Sequence, residues 1–477
     1  MSRYKPIQVV DIFAGPGGLG EGFSSFMDRG ARRFEIALSI EKDSFARKTL
    51  LLRSFFRKLS PTKKKTIYKY YIDTKPETLS QLALNNPKEW LSACQEAVQL
   101  ELAPETRKKT NELIKQRVNK ENPWVLVGGP PCQAYSLVGR ARRSREARQL
   151  FESDKKHTLY QEYLHILNNF KPPVFVMENV KGILSATYSG EQIFQRICND
   201  LADQGYRLYS LTGESAIDLS GRWLTESFVV RAEKYGIPQA RHRVFILGIR
   251  DDLKVKPASL TPKTMQISID QALEGIPSLR SRLSTSDTFR KWLEARNTGL
   301  SLAGESMKNS IADFFGSEFV NCKPLHGFFL SDKNMPGLPN HEARSHLTKD
   351  IQRYAFASAY AFKTGKSPKV TEFPDLLKPD HKNICSDQVP FTDRFKVQMF
   401  GKPSSTITSH ISKDGHYYIH PDFRQARSLT VREAARLQTF PDNYRFEGPR
   451  TEQYKQVGNA VPPILAKQIA KLVHDLI

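Results

Sequence analysis

"IQVVDIFAGPGGLGEGF", residues Ile7 to Phe23, decides the fold. Its first seven residues are apolar and β-branched with almost no interruption, and a glycine turn and a short amphipathic run follow. An apolar run that does not alternate with polar residues suits a strand buried on both faces, and glycines end it. The stretch therefore reads as strand, turn, helix. Four more runs repeat the theme. "FEIALSIEKD" gives a strand from Phe34 to Ile40 that ends in Glu41, and "WVLVGGPPC" stops at Gly128. "PVFVMENV" carries Glu178 near its carboxyl end, and "RVFILGIR" ends at Arg250. Buried strands separated by helical segments predict an α/β, Rossmann-like fold with a mainly parallel sheet covered on both faces. Such sheets bind ligands at the carboxyl ends of their strands. Gly15 to Gly20, Glu41, Cys132 and Glu178 all fall at those ends.

The pattern divides the chain. Residues 1–252 form the expected catalytic and cofactor-binding domain, with about 77–121 as a helical insertion. Strand-helix alternation is lost from 253, turn residues become frequent, and one amphipathic helix stands out in "SHLTKDIQRYAFASAYAF". Residues 253–454 are expected to be a smaller, irregular domain. The tail 455–477, with apolar residues at helical spacing in "PILAKQIAKLVHDLI", is expected to return to the sheet.

Of the 477 residues, 39% are hydrophobic and 26% charged, which suits a globular chain with a sizeable core. No apolar run reaches the ~20 residues of a membrane span, and the opening residues lack the apolar core of a secretory leader. The five cysteines are scattered with no CxxC pair, which gives no disulfide framework and no metal site. A cytoplasmic, reduced setting is expected. The net charge of +22, spread over "PTKKK", "ETRKKT" and the arginines from Arg140 to Arg148, favours a polyanion such as nucleic acid as partner.

"GPGGLG" fits G-x-G-x-x-G with an acid about 20 residues on at Glu41, a nucleotide-cofactor signal in which glycines admit the ligand and the carboxylate takes ribose hydroxyls. The spacing does not separate a nicotinamide dinucleotide from S-adenosylmethionine, and a purely structural turn has the same glycines. "PPCQ" sets Cys132 on a stiff Pro-Pro step, followed by arginines that favour a thiolate. A buried inert thiol is the alternative, and it holds for the other four cysteines. Glu178 follows an apolar strand, where a carboxylate is costly unless used or paired, and burial raises its pKa. A helix cap would be a structural use of the same residue. Gln239, Arg241 and Arg243 alternate in "QARHR", which on a strand turns all three to one face, as a polar clamp or as a solvated edge.

In this order the motifs resemble the DNA (cytosine-5) methyltransferase family, and in particular its bacterial restriction-modification members. The likeness runs through "DIFAGPGGLGEGF", Glu41, "GGPPCQAYS", "ENV", "QARHR", "RSLTVREAARLQTFPD" and "QVGNAVPP", covering about 7–250 and 400–477. It implies transfer of a methyl group from S-adenosylmethionine to C5 of a flipped-out cytosine in double-stranded DNA. Cys132 would be the nucleophile, Glu178 would hold N3 of the base, and Arg241 and Arg243 would orient it. Phe13, Pro16, Gly18, Glu41, Pro131, Leu159 and Asn459 would bind the cofactor. The family's adenine-binding acid has no clear match here, and Asp73 in "YYIDT" is the nearest candidate. Gln133, Ser136, Arg140, Arg142, Arg143 and Gln239 would face DNA, with 253–454 as the target-recognition domain. A monomer is implied, with a cognate restriction endonuclease as a functional partner and neither metal nor membrane. The RNA-acting branch of the family, a non-catalytic DNA-binding protein and a nicotinamide oxidoreductase remain rivals. Bisulfite sequencing and cofactor titration separate them.

The charge makes a first prediction. Each phosphate neutralised by lysine or arginine releases a counterion, so log affinity for DNA falls linearly with log salt. A handful of such contacts costs about 10³-fold or more between roughly 50 and 200 mM. Equilibrium binding that hardly changes over that interval would exclude a backbone-gripping mode.

Overall fold

The structure is a computed structural model that describes residues 5–119, 121–131, 159–188, 191–305, 319–321, 335, 337–379 and 393–477. Its centre is an eight-stranded sheet built from β1 (Ile7–Ile12), β2 (Phe34–Glu41), β3 (Ala97–Gln99), β4 (Trp124–Gly128), β5 (Val174–Val180), β6 (Tyr206–Tyr209), β7 (Val229–Arg231) and β8 (His242–Arg250). The strand order is β6-β8-β5-β4-β1-β2-β3, with β7 also paired to β8. From β5 to β3 every pairing is parallel, and β6, β7 and β8 are antiparallel to their neighbours. The chain moves from β1 outward to β2 and β3, then returns to place β4 on the other side of β1. That reversal opens a crevice beyond the carboxyl ends of β1 and β4.

Parity decides what β1, β4 and β5 pack against, and in β2 a bulge opposite Val9–Val10 shifts it, so that Ile36 and Leu38 face opposite cores. Val10, Ile12, Leu38, Ile40, Leu126, Phe175 and Met177 enter one core, and Val9, Ile36, Val125, Val127, Val174 and Val176 enter the other. Successive side chains of a strand point to opposite faces, and two helical layers cover both. The tail helix (Pro463–His474) lies on the second face, burying Leu465, Ile469 and Val473 against β1 and β4 residues. It crosses α1 (Gly18–Ser24) so closely that a Cβ on Gly22 would sit 2.3 Å from that of Ala466.

Five of the sheet strands were expected, and three were not: the short antiparallel β6 and β7, and β3. β3 interrupts the helical stretch anticipated over about 77–121, adding a sheet edge beyond β2. Before it run α2 (Ser44–Lys58), α3 (Pro61–Ile72), α4 (Pro76–Leu84) and α5 (Pro87–Glu96). They share a core with Met335 and Leu338, so this region packs against the later part of the chain.

Past 253 the anticipated amphipathic helix forms over Thr348–Thr364, and a second helix, Phe289–Leu302, crosses it. At the crossing Gly299 meets the Gln352 carbonyl, which lies 2.2 Å from where a Cβ would be. The interior beside these helices is unusually polar. The imidazole of His341 bonds the Thr430 hydroxyl through Nδ1 at 3.0 Å and the Pro277 carbonyl through Nε2 at 2.9 Å. His420 accepts the Asp422 amide and lies 3.6 Å from Glu433, which Arg427 grips with both terminal nitrogens at 2.8 and 2.6 Å. Among the described residues no helix is long and apolar enough to cross a membrane.

Burial holds the pKa values of His341 and His420 down at about 4, against the partial pull of Glu433 the other way. Both are neutral in the fold, whereas the unfolded chain binds protons near pH 6.5. Stability is thus complete above about pH 6.5 and is lost as pH falls towards 4, by up to about 3 kcal/mol per histidine. The thermal unfolding midpoint should fall across that window, and more gently in His341→Gln. A midpoint indifferent to pH between 6.5 and 4 would refute this.

Candidate active site

The glycine turn after β1 is held in an uncommon shape. Phe13, Gly15 and Gly17 all have positive φ, at 54°, 56° and 92°. For Phe13 such a backbone is strained, and residues of that kind cluster at functional sites. Glycine is required at 15 and 17 for conformation, and at Gly18 for space. The Val461 carbonyl lies 2.1 Å from where a Cβ on Gly18 would be, so the "NAVPP" segment closes on the turn itself. Pro16 is buried beneath, and Gly15 has nothing within 4 Å on its Cβ side.

Glu41, at the carboxyl end of β2, braces this turn. One carboxylate oxygen accepts the Gly15 amide and the other the Asp43 amide, each at 2.8 Å. A carboxylate offers about four acceptor positions, so capacity remains for a hydroxylated ligand. Burial raises its pKa against those two bonds. Beside it Lys42, Asp43, Ser44, Gln99, Leu100 and Glu101 line an open cleft of about 670 Å³. An open backbone edge at Gly15 and a carboxylate with spare lone pairs suit a hydroxylated ligand.

Asp73 does not stand at this cleft's strand ends. It caps the carboxyl end of α3, accepts a bond from the Thr78 hydroxyl at 3.2 Å and lies 3.6 Å from Lys75, half exposed. The strand beside β2 is β3, and Gln99 ends it. Asp73 therefore lies away from that strand end, in a segment where a helix forms.

On the other side of β1 the ends of β4 and β5 meet. Gly128 pairs with Met177, and a Cβ on Gly129 would lie 2.8 Å from the Glu178 carboxylate. Asn179 donates to the Pro130 carbonyl at 3.2 Å, tying the Pro-Pro step to the "ENV" segment. Glu178 is 13% exposed and 3.1 Å from Nε of Arg243, which is 14% exposed. Burial raises the Glu178 pKa, with Arg243 and then Arg241 opposing. Cys132, Gln133, Ser136, Arg140, Arg142 and Arg143 lie outside the described residues. Pro131 is half-buried at the edge of that gap, as is Leu159 at the start of the helix Leu159–Phe170.

Gln239, Arg241 and Arg243 do not act together. Only Arg243 meets Glu178. Arg241 is 1% exposed and donates to the carbonyls of Ile407 at 2.7 Å and Gly458 at 3.2 Å. Gln239 donates to the Leu437 carbonyl and the Gln438 side chain, and accepts the Ile407 amide. Both knit the chain together instead of lining a groove. Asn459, at the end of the helix Arg450–Asn459, is exposed. Sequence reading missed Asn179, Gln99 and the buried Asp11, whose carboxylate accepts the Gly20 amide at 3.2 Å.

Residues 88–474 match the model of the C-5 cytosine-specific DNA methylase family. The chain is 33% identical to the type II methyltransferase M.Bpa9945I of Bacillus paralicheniformis, over 98% of this chain and 99% of that one. It is 26% identical to the type II methyltransferase M.DdeI of Desulfomicrobium norvegicum, over 98% and 88%. Among solved structures it is similar to a candidate DNA modification methyltransferase encoded within an E. coli prophage. The TM-score is 0.57 at 20% identity, covering 98% of this chain and 99% of the other, which is a likeness of fold.

The Glu178–Arg243 pair gives a prediction independent of any activity. Isotope-edited infrared difference spectra, read against Glu178→Gln, should show the Glu178 carboxyl titrating above the usual glutamate range of about 4.3. Arg243→Gln should move it higher, because the guanidinium favours the ionised form. An ordinary titration in both proteins would contradict the buried pair.

Proposed function

The chain belongs to the C-5 cytosine-specific DNA methylase family, as a DNA (cytosine-5-)-methyltransferase of the type II restriction-modification kind, and from that premise we propose how its residues work. The substrate is a cytosine within a specific double-stranded DNA site. The observation that carries the mechanism is Glu178, buried beside the Gly129-Pro130 step that leads into Cys132 and paired with Arg243.

The target C5 is too weak a nucleophile to take a methyl group unaided. The Cys132 thiolate adds to C6, forming an S–C6 bond and moving the ring's electrons toward C5. Glu178, its pKa raised by burial, holds a proton at N3, and that proton stabilises the adduct. Arg243 fixes the Glu178 carboxyl in place. S-adenosylmethionine, the family's methyl donor, supplies an electrophilic methyl for C5 when bound along Phe13, Pro16, Gly18, Glu41, Pro131, Leu159 and Asn459. Loss of the C5 proton then breaks the S–C6 bond and restores the aromatic ring, so covalent catalysis replaces one hard step by easier ones. A stacked base is out of reach of these groups, so the cytosine is flipped out of the duplex. Gln133, Ser136, Arg140, Arg142 and Arg143 follow Cys132 closely enough in sequence to face the DNA around the flipped base. Residues 253–454 read the site, residues 455–477 return to the catalytic domain, and a cognate endonuclease is a functional partner of a monomeric enzyme.

A duplex carrying 5-fluorocytosine at the target tests this. Methyl transfer proceeds, but elimination needs a proton at C5 and fluorine cannot leave as a cation. A covalent complex that survives denaturation should accumulate only with S-adenosylmethionine present. Cys132→Ser should abolish it. Glu178→Gln should slow its formation by about 10²-fold or more while leaving DNA binding largely intact. Mass spectrometry that found the base on Cys94, Cys198, Cys322 or Cys385 would sink the assignment.

A further inference from the structure

The glycine turn that begins the chain's chemistry is gripped from a segment more than 400 residues away. Tyr444 is fully buried, and its hydroxyl donates to the carbonyl of Pro16 in the middle of the turn. The same oxygen lies 3.1 Å from where a Cβ on Gly17 would be. Burial keeps the phenol protonated, so it is a permanent donor. Its ring is fixed independently of that hydroxyl. The Arg53 guanidinium lies 4.9 Å above it and is bonded to Glu21 of α1 at 2.9 and 2.5 Å. Arg53 also donates to the side chain of Asn443 at 3.1 Å.

On its other side Tyr444 belongs to the packed core of the second half of the chain, with Leu437, Phe440, Phe446, Ile407 and Tyr418. One side chain thus touches both the turn proposed to hold the cofactor and the core of the part proposed to read DNA. We infer that Tyr444 is a positioning residue whose hydroxyl couples cofactor binding at the glycine turn to DNA binding, so that each ligand tightens the other. The inference rests on the reading that S-adenosylmethionine binds at this turn. Its physical basis is order. DNA docked on the second half steadies the core around Tyr444, which steadies the Pro16 carbonyl, so less freedom is lost when the cofactor settles on the turn. Linkage requires the reverse effect to be equal.

The test titrates S-adenosylhomocysteine, an unreactive probe, into the full-length protein with and without a duplex carrying its methylation site, mapped beforehand by bisulfite sequencing. Wild type should bind the probe at least about 5-fold more tightly with DNA, the lower end of ordinary coupling. Tyr444→Phe, which keeps the ring and its packing, should bind it several-fold more weakly without DNA and lose most of the coupling. Its KM for S-adenosylmethionine should rise while kcat stays within about twofold. Tyr70→Phe removes another partly buried hydroxyl from the same neighbourhood, one that donates to Glu447 and not to the turn, and should leave the probe's affinity unchanged. Tyr444→Phe with wild-type affinity and wild-type coupling would overturn the inference, as would equal weakening by Tyr70→Phe. If Phe13→Ala leaves the probe's affinity untouched in wild-type background, the cofactor-site reading itself fails, which is a separate result.

Discussion

A guanidinium with almost no access to water holds the two halves of this protein in register. Arg241 is 1% exposed and, among the described residues, pairs with no carboxylate; its partners are the Ile407 and Gly458 carbonyls. Burial and the neighbouring Arg243 press its pKa well down, and Glu178 and Tyr418 oppose them. Such a group is costly to bury, and its value lies in geometry. A planar fork reaches two carbonyls in fixed directions, which a lysine ammonium cannot do. Gln239, two residues earlier, bonds Leu437, Gln438 and Ile407. Pinning Gly458 sets the helix Arg450–Asn459, whose Gly458 lies against the Thr408–Ser409 backbone with no room for a side chain. From there the chain runs to Val461, whose carbonyl occupies the space beside Gly18. The shape of the glycine turn therefore depends on a seam far from it in sequence.

The same seam divides two arginines that look equivalent. Alternation in "QARHR" suggests one face and one task. In the fold, Arg243 sits in β8 opposite the end of β5 and pairs with Glu178, while Arg241 lies just before the strand and turns to carbonyls. Arg243 lowers the pKa of Arg241, and both guanidiniums lower that of Glu178, but desolvation outweighs them at the carboxylate. The result is a buried carboxyl with its pKa raised, beside one arginine that pairs with it and one that bonds backbone carbonyls.

What could be read from sequence followed the strength of the local signal. The five apolar strands were legible because both-face burial writes itself as an unbroken apolar run. β3 was not, because it is three residues long at a sheet edge and its outer positions are partly exposed. "YYIDT" offered Asp73 only as the nearest acid to a family motif, with no local signal to place it at a strand end. Ser60 and Pro61 start a helix there instead, and Tyr68, Tyr70 and Tyr71 are buried in the α2–α5 core. Glu178 and Arg243 could be found from their motifs, but their pairing depends on the register of β5 and β8. The tie between Asn179 and Pro130, like that between Tyr444 and Pro16, joins segments distant in sequence, and no spacing rule reaches so far.

Asp11 shows how the sheet and the turn settle their charges together. It is wholly buried in β1, one oxygen accepting the Gly20 amide and the other without a hydrogen-bond partner. Burial, helped by Glu41 nearby, lifts its pKa to about 8, so at neutral pH it stays protonated. A second anion there would make Glu41 harder still to ionise, since like charges raise each other's pKa. A neutral Asp11 spares Glu41 that repulsion, and the Gly15 and Asp43 amides favour its charge. Burial raises the pKa of both acids, and at Glu41 the two backbone amides work against it. One ties α1 to the sheet as a neutral group, and the other braces the turn at its open edge, where a hydroxylated ligand can still reach it.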